Sequence, residues 1–387
     1  MSLERGNRAE ADEPDASGAH PRDRLRRELG LSDSTFLVVS SVIGAGIFFT
    51  PGVVADLIPV PSWFLVAWAV GGGLSLAGAL ANAELGAMFP RAGGDYVYLR
   101  EAFHPVAGFL VGWLSFFVIY AGTVATLATA FADGFGRMMP LGASGELALA
   151  LAVITFTTWI NYVGVRSGAT FNNVTAILKI VAIGALVLAG LLLPSVPAAA
   201  APAQVREISL QGFALALSPV LFTYLGWNAP VYVASEIRDP GRNVPRSLFL
   251  GLALCTALYL VLNLLYLHTA SIDGLAGSTD AGETAARALL GDVGGRVASL
   301  LILLSVLGCL NATILVGPRI AYAMALDGYF FTGADRVHRA NHTPHVALLA
   351  QAAVAIGLIA ILESFPRVLD YTTFAIVVAT MADVAAL

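Results

Sequence analysis

The chain has 387 residues, of which 57% are hydrophobic and only 12% are charged, and its mean hydropathy is +0.78. A soluble core does not require so much apolar surface, so the composition excludes an ordinary soluble protein and indicates an all-α polytopic membrane protein. The formal net charge of −5 says little about partners, because the side on which positive charges lie matters more than their sum in a membrane protein. We expect the lipid bilayer as a partner, and no nucleic acid, metal or cofactor.

The N-terminal residues 1–30 are polar and lack the apolar core of a signal peptide, so we predict a disordered cytoplasmic tail before a transmembrane core over residues 31–387. Within that core, long apolar runs recur that are close to or above the ~20 residues needed to cross ~30 Å of hydrocarbon. These runs predict ten membrane spans, at residues 34–58, 62–89, 105–132, 146–164, 169–193, 212–236, 246–270, 295–326, 345–363 and 367–387.

The distribution of arginine residues between the connections predicts the orientation of these spans. If the N-terminal tail lies inside the cell, most arginines of the chain, including Arg319, fall on the cytoplasmic side. Such a bias is typical of cytoplasmic loops, so we expect a multi-pass protein of the plasma membrane with its N-terminus in the cytoplasm. The connection 90–98 is then cytoplasmic, with aromatic side chains suited to the membrane interface. In the outer connection 271–296, residues 283–290 are expected to form a short helix over a vestibule.

The first span carries Gly44, Gly46 and Pro51 where a membrane helix should be continuous. A glycine costs about 1 kcal/mol and a proline about 3 kcal/mol relative to alanine inside a helix, so we predict unwinding between Gly44 and Gly46. Unpaired backbone in hydrocarbon is costly and survives only where it lines a cavity or binds a ligand. A glycine seam for close helix packing is an alternative. A dinucleotide fingerprint is a weaker one, because Phe49 stands where GxGxxG has its third glycine.

The sixth span repeats this anomaly over residues 218–230. Gly226 permits unwinding between Leu225 and Trp227, Asn228 can cap a new half-helix, and Pro230 fits the first turn of that half-helix. Spans 1 and 6 each begin a block of five, and an odd number of spans places the second block upside down relative to the first. Spans 1–5 should therefore superpose on spans 6–10 after inversion. Paired broken helices in inverted halves indicate a transporter site.

Four segments besides the first break extend this pattern. They are Pro90 to Tyr98, Phe222 to Asn228, Glu236 to Pro245, and Arg319 to Gly328. With the run Gly44 to Phe48, they resemble the amino acid-polyamine-organocation (APC) superfamily, and the Phe-x-Tyr-x-Gly-Trp-Asn run is most similar to its L-type amino acid transporter branch. The resemblance covers the chain from about Leu31 to its end. It implies a LeuT-type fold of 5+5 inverted repeats and a permease function.

The sequence departs from the pattern of this family in three places. The family usually has two acids before its Pro-x-Arg-Asn segment, where this chain has Ser235 and Glu236, and it has an arginine where this chain has Leu326. The family also usually has twelve helices, so helices 11 and 12 are expected to be absent here. A truncated, inactive permease is therefore an alternative to an active transporter.

The two breaks suit an α-amino acid. The outer half of the first span points its free N–H groups and positive dipole end at the membrane centre, which favours a carboxylate. The carbonyls that end the first half of the sixth span favour an ammonium group. In the family these breaks hold the substrate, Phe222 matches an aromatic gate, and Asn228 matches a polar contact. The predicted substrate-binding residues are Ile43, Gly44, Ala45, Gly46, Ile47, Phe222, Thr223, Leu225 and Asn228.

Lys179, the only lysine, lies near the middle of the fifth span. Placing a lysine there costs roughly 2.5–3.5 kcal/mol, so it should face the protein interior and contact carbonyls or an acid. A purely structural role, in which Lys179 bonds the broken end of the first span, is one alternative. In the resembled transporters, however, a lysine at this point takes the place of a sodium ion and in some is linked to proton coupling. This implies sodium-independent transport, by proton symport or amino acid exchange.

Other functions fit the sequence less well. The histidines lack metal-ligand spacing inside the membrane, and no GxSxG or phosphate-binding loop occurs, so we expect no enzyme and no catalytic residue. A sensor that uses the transporter fold without transport is one alternative. An amine or polyamine antiporter is another. No titratable side chain at either break could pair a charged substrate side chain, which favours neutral L-amino acids.

Overall fold

The computed structural model describes residues 22–193 and 209–362. Within these ranges the regular secondary structure is helical, and the chain also forms two isolated β-bridges. The α-helices in these ranges are α1 Leu31–Val42, α2 Gly46–Leu57, α3 Pro61–Met88, α4 Asp95–Ala102, α5 Pro105–Trp113, α6 Ala121–Met138, α7 Gly142–Val163, α8 Val165–Leu192, α9 Leu210–Tyr224, α10 Ala229–Tyr232, α11 Pro240–Leu275, α12 Ala281–Leu326 and α13 His345–Leu362. A π-helix over Leu114–Tyr120 joins α5 to α6.

The first nine predicted spans, up to residue 362, fall within the described residues, and each of them is mainly helical. Six of these helical segments are long and apolar enough to cross a membrane, and α1 with α2 forms a further span that is bent by 47°. The helices α9 and α13 are shorter apolar helices. The tenth predicted span, 367–387, lies outside the described residues, so the superposition of the two inverted blocks stays a prediction.

Local chemistry sets many of the helix boundaries. Proline occupies the first turn of α3, α5 and α11, where its missing N–H removes no helical hydrogen bond. The side chain of Ser209 accepts a hydrogen bond from Gly212 N at the start of α9, and Asp280 does the same for Glu283 N at the start of α12. These caps satisfy backbone donors that a helix leaves unpaired in its first turn.

Helix α12 has two parts, which are divided by a kink. A backbone kink at Gly291, where φ is +61°, separates residues 281–290 from the long membrane-spanning part. This confirms a short helix over 283–290, while its position on the outer side of the membrane stays a prediction. The spanning part packs against α8 and α6, while α1 packs against both α8 and α11. The broken first span is therefore surrounded by long helices, and this arrangement positions the candidate site.

Two segments that were predicted to lie on the cytoplasmic side differ in structure from the sequence predictions. Residues 22–30, which were predicted to end a disordered tail, contact the core: Leu29 is 2% exposed and pairs with Ile237. In the connection 90–98, Tyr96 and Tyr98 are each only 1% exposed to the surroundings. The prediction that these aromatic rings lie at the membrane interface was therefore wrong, because the connection folds inward against α10 and α12.

Candidate functional site

The first span is broken where the glycines predicted it. Helix α1 ends at Val42, residues 43–45 form a bend, and α2 begins at Gly46. Phe48 N and Phe49 N donate to Ala45 O, at 3.0 and 3.3 Å, and these are the first hydrogen bonds of α2. Among the described residues, no backbone carbonyl accepts from Gly46 N or Ile47 N. The start of α2 therefore has two N–H groups without a backbone partner, which is the usual chemistry of an anion-binding helix start.

Lys179 lies at the end of α1, as predicted. Its side chain is fully buried, and Nζ donates to Ser40 O at 3.1 Å and to Ile43 O at 2.7 Å. These carbonyls belong to the last turn of α1, whose own acceptors are left over when the helix stops. Gly308 of α12 provides the space, because a Cβ at that position would lie 2.8 Å from Lys179 Nζ. The ammonium group thus stabilises the broken end of the helix.

Two further side chains at this end were not identified from the sequence. Cys309 Sγ lies 2.9 Å from Ser40 O, and Tyr259 OH lies 2.8 Å from Val42 O. The same Tyr259 hydroxyl lies 3.1 Å from Thr223 O, at the end of α9. Tyr259 therefore connects the two broken spans directly. A tyrosine hydroxyl that is buried in an apolar helix needs a polar partner, so the position of Tyr259 in a long apolar run could have predicted such a contact.

The sixth span is also broken where predicted. Helix α9 ends at Tyr224, and residues 225–228 form a turn in which Gly226 has a φ of +100°. A Cβ at position 226 would lie 3.0 Å from Ser41 O, so only glycine allows the two breaks to approach so closely. The half-helix after this turn is shorter than predicted: α10 has four residues and is followed by a 3₁₀ turn, because the chain then pairs with the cytoplasmic connection.

The carbonyl oxygens at the end of α9 and the side chain of Asn228 make contacts within the protein that the sequence did not predict. Leu225 N donates to Phe222 O at 3.2 Å, and Thr223 O is within reach of Tyr259, so both carbonyls already have one partner inside the protein. Asn228 sits at the N-cap of α10, but its side chain makes no capping hydrogen bond. Its Nδ2 instead donates to Tyr232 OH at 3.3 Å.

Thr223 and Phe222 lie on different faces of α9. Thr223 is 4% exposed, and its Oγ1 lies 3.0 Å from Thr50 Oγ1 of α2. A Cβ at Gly46 would lie 3.1 Å from the Thr223 side chain. Phe222, the preceding residue, is 44% exposed. The structure therefore brings together residues 43–47, Thr223 and Lys179.

A cavity of about 630 Å³ extends from the first break along the C-terminal part of α6 and the N-terminal half of α12. Burial raises the pKa of Asp280, at its rim, to about 6. Next to Asp280, Arg287 forms ion pairs with Glu283 and Asp292. The lining within the described chain is Ala45, Phe49, Ala130, Asp133, Gly134, Arg137, Met138, Asp280, Glu283, Arg287, Gly295, Arg296, Ser299, Ile302, Leu303 and Val306.

A buried ion pair on the other side of the membrane was missed. Arg319 Nε and Nη2 lie 2.9 and 3.0 Å from the two carboxylate oxygens of Glu236, and both side chains are at most 1% exposed. The arginine bias assigns Arg319 to the cytoplasmic side of the membrane but does not reveal its partner, although a charge inside an apolar run indicates one. In the described residues, no group of three or more His, Cys, Asp or Glu side chains converges as metal ligands would.

Comparison with known proteins gives consistent matches along nearly the whole chain. A model of the amino acid permease family matches residues 29–387. The serine/threonine exchanger SteT of Bacillus subtilis (strain 168) is 32% identical over 351 residues, which cover 90% of this chain and 79% of that protein. The human large neutral amino acids transporter small subunit 2 is 30% identical over 347 residues, covering 87% of this chain and 64% of the relative. The human b(0,+)-type amino acid transporter 1 is 28% identical over 362 residues, covering 91% and 73%.

Proposed function

Because this chain belongs to the amino acid permease family, we propose that it moves neutral L-amino acids across the plasma membrane by alternating access, without sodium. The family and its relatives confirm the predicted resemblance to the APC superfamily and its L-type branch, and they are transporters rather than enzymes. The chain spans 64% of the length of the human large neutral amino acids transporter subunit, so the identity of the substrate belongs to this proposal.

The observation that carries the proposal is the contact between the two broken spans. Tyr259 joins the end of α1 to the end of α9, while Gly226 lies against Ser41. Gly46, at the start of α2, lies against Thr223 at the end of α9. A substrate carboxylate would bind to the N–H groups of α2, and its ammonium group would bind to the carbonyls of the sixth span. Ile43 and Ile47 are fully buried in this conformation, whereas Gly44 and Gly46 between them are only partly buried.

The environment of Lys179 supports sodium independence. Lys179 Nζ donates hydrogen bonds to the carbonyl oxygens of Ser40 and Ile43. Carbonyl oxygens are the ligands that a hard cation such as sodium would need, so the lysine takes the place of that cation. The lysine side chain thus supplies at the end of α1 the positive charge that a bound sodium ion would otherwise supply. Movement would be driven by a proton or by a second amino acid. The name of one relative, a serine/threonine exchanger, favours exchange. The cytoplasmic N-terminus remains part of the proposal and rests on the arginine bias.

The alternatives are an amine or polyamine antiporter and a sensor that binds without transport. An amine has no carboxylate, and a sensor transports nothing, so neither alternative requires the two N–H groups at the start of α2 to bind the carboxylate of a transported substrate. We expect uptake of labelled alanine, serine or leucine into vesicles that contain the purified chain. Unlabelled neutral amino acids should inhibit it, and putrescine, arginine and glutamate should not. Inhibition by putrescine alone would identify an amine transporter, and tight binding without flux would identify a sensor.

A further inference from the structure

Three polar side chains connect the break of the sixth span to the cytoplasmic connection. Asn228 Nδ2 donates to Tyr232 OH at 3.3 Å, and Tyr232 OH donates to Asp95 Oδ2. Asp95 is 4% exposed and Tyr232 is 2% exposed, so this chain of hydrogen bonds is enclosed by protein. Asn228, at the break, is only half-buried.

The backbone holds Tyr232 rigidly at the centre of this chain. Gly93 N donates to Tyr232 O at 3.1 Å, and Ala92 pairs with Val233 in an antiparallel bridge. A Cβ at Gly94, whose φ is +51°, would lie 2.6 Å from the Tyr232 ring, so the ring occupies the space that the missing side chain leaves. The ring of Tyr120, from the π-helix, packs edge-on at 5.4 Å. The hydroxyl of Tyr232 therefore has a fixed position.

Proton counting then determines how Asn228 is oriented. An ionised carboxylate only accepts hydrogen bonds, and a tyrosine hydroxyl has one proton to donate. Asp95 lies in the first turn of α4, where the positive end of the helix dipole favours its ionised form. The proton of Tyr232 is thus committed to Asp95, and the Tyr232 oxygen can only accept from Asn228. The amide NH₂ must face Tyr232, which leaves Asn228 Oδ1 on the opposite side.

We propose that Asp95 is a positioning residue for substrate recognition: acting through Tyr232, it orients Asn228 so that an oxygen rather than an NH₂ group faces the substrate. This inference rests on the proposed function and deepens it. An oxygen acceptor binds an ammonium group or a side-chain hydroxyl and repels a carboxylate. The relay therefore selects neutral amino acids over acidic ones, although Asp95 itself never contacts the substrate.

The test uses single-atom changes in the full chain. Asp95→Asn keeps the size of the side chain but can donate a hydrogen bond to Tyr232, and Tyr232→Phe removes the connecting oxygen. The matched control is Tyr96→Phe, which removes a hydroxyl from the same segment whose partner is Asp327 of the α12 end. Each variant is purified and reconstituted, and exchange is measured against substrate concentration with the neutral amino acid that the wild type carries fastest.

We expect Asp95→Asn and Tyr232→Phe to raise KM about tenfold, the effect of losing one oriented hydrogen bond, while the maximal rate stays within about threefold. Asp95→Asn should also become sensitive to inhibition by glutamate, and Tyr96→Phe should keep the wild-type KM. A fall in maximal rate at unchanged KM, or equal effects of Tyr232→Phe and Tyr96→Phe, would overturn the relay. If Asp95→Asn fails to fold, Tyr232→Phe decides the result. A wild type without neutral amino acid uptake overturns the proposed function itself.

Discussion

Replacement of Lys179 by alanine should lower amino acid flux by about one to two orders of magnitude while substrate binding survives at least in part. The change removes two hydrogen bonds from a charged donor to Ser40 O and Ile43 O, and each such bond is worth roughly 1.5–3 kcal/mol. The end of α1 would then lose the group that stabilises it between transport steps. Flux is measured as exchange in reconstituted vesicles, and binding is measured separately on the purified chain.

Two further variants separate charge from packing. Lys179→Met keeps most of the volume and removes the charge, so it should lose flux like Lys179→Ala. Thr175→Val lies one turn away on α8, and the hydroxyl that it removes donates only to Asn172 O of the same helix. That control should transport normally. A Lys179→Ala variant with normal flux and normal pH dependence would show that the lysine has no role in coupling.

Replacement of Gly46 by valine should abolish uptake and leave membrane insertion intact. A Cβ at this position would already lie 3.1 Å from the Thr223 side chain, and the two methyl groups of valine extend further into the space between α2 and α9. Overpacking of this kind costs typically about 1–3 kcal/mol and would force the two breaks apart. Gly46→Ala should show a milder defect, because Thr223 needs to move by only a few tenths of an ångström.

The control for this substitution is Gly184→Val on α8, where no atom lies within 4 Å of the added Cβ. It should insert, fold and transport like the wild type. Insertion is measured as the yield of monodisperse protein after extraction, and uptake is measured in vesicles. Full uptake by Gly46→Val would mean that the space between α2 and α9 does not bind substrate, and would remove the basis for placing the site there.

The breaks could be predicted because their causes are local. Glycines at 44, 46 and 226 weaken the helix at their own positions, whatever surrounds them. The position of Lys179 was also predictable, because a lone lysine in a long apolar run must find a polar partner inside the protein. The two carbonyls that it contacts then follow from the end of α1, since these are the acceptors that a stopped helix leaves without partners.

The remaining features depend on contacts between distant parts of the chain. Cys309 and Tyr259 reach α1 only because α11 and α12 pack beside it, and no local pattern encodes that packing. The inner part of the sixth span is short because Val233 pairs with Ala92, more than a hundred residues earlier in the chain. Arg319 is buried by its ion pair with Glu236, a residue 83 positions earlier in the chain, which no local pattern predicts.

Replacement of sodium is the most direct test of the central claim, that two broken helices and a lysine move a neutral amino acid without a metal ion. Uptake of a labelled neutral amino acid is measured into vesicles that contain the purified chain, with sodium chloride outside or with choline chloride in its place. We predict the same initial rate in both solutions, and a higher rate when the vesicles contain unlabelled amino acid or when an inward proton gradient is applied. Uptake that occurs only with an inward sodium gradient would contradict this account.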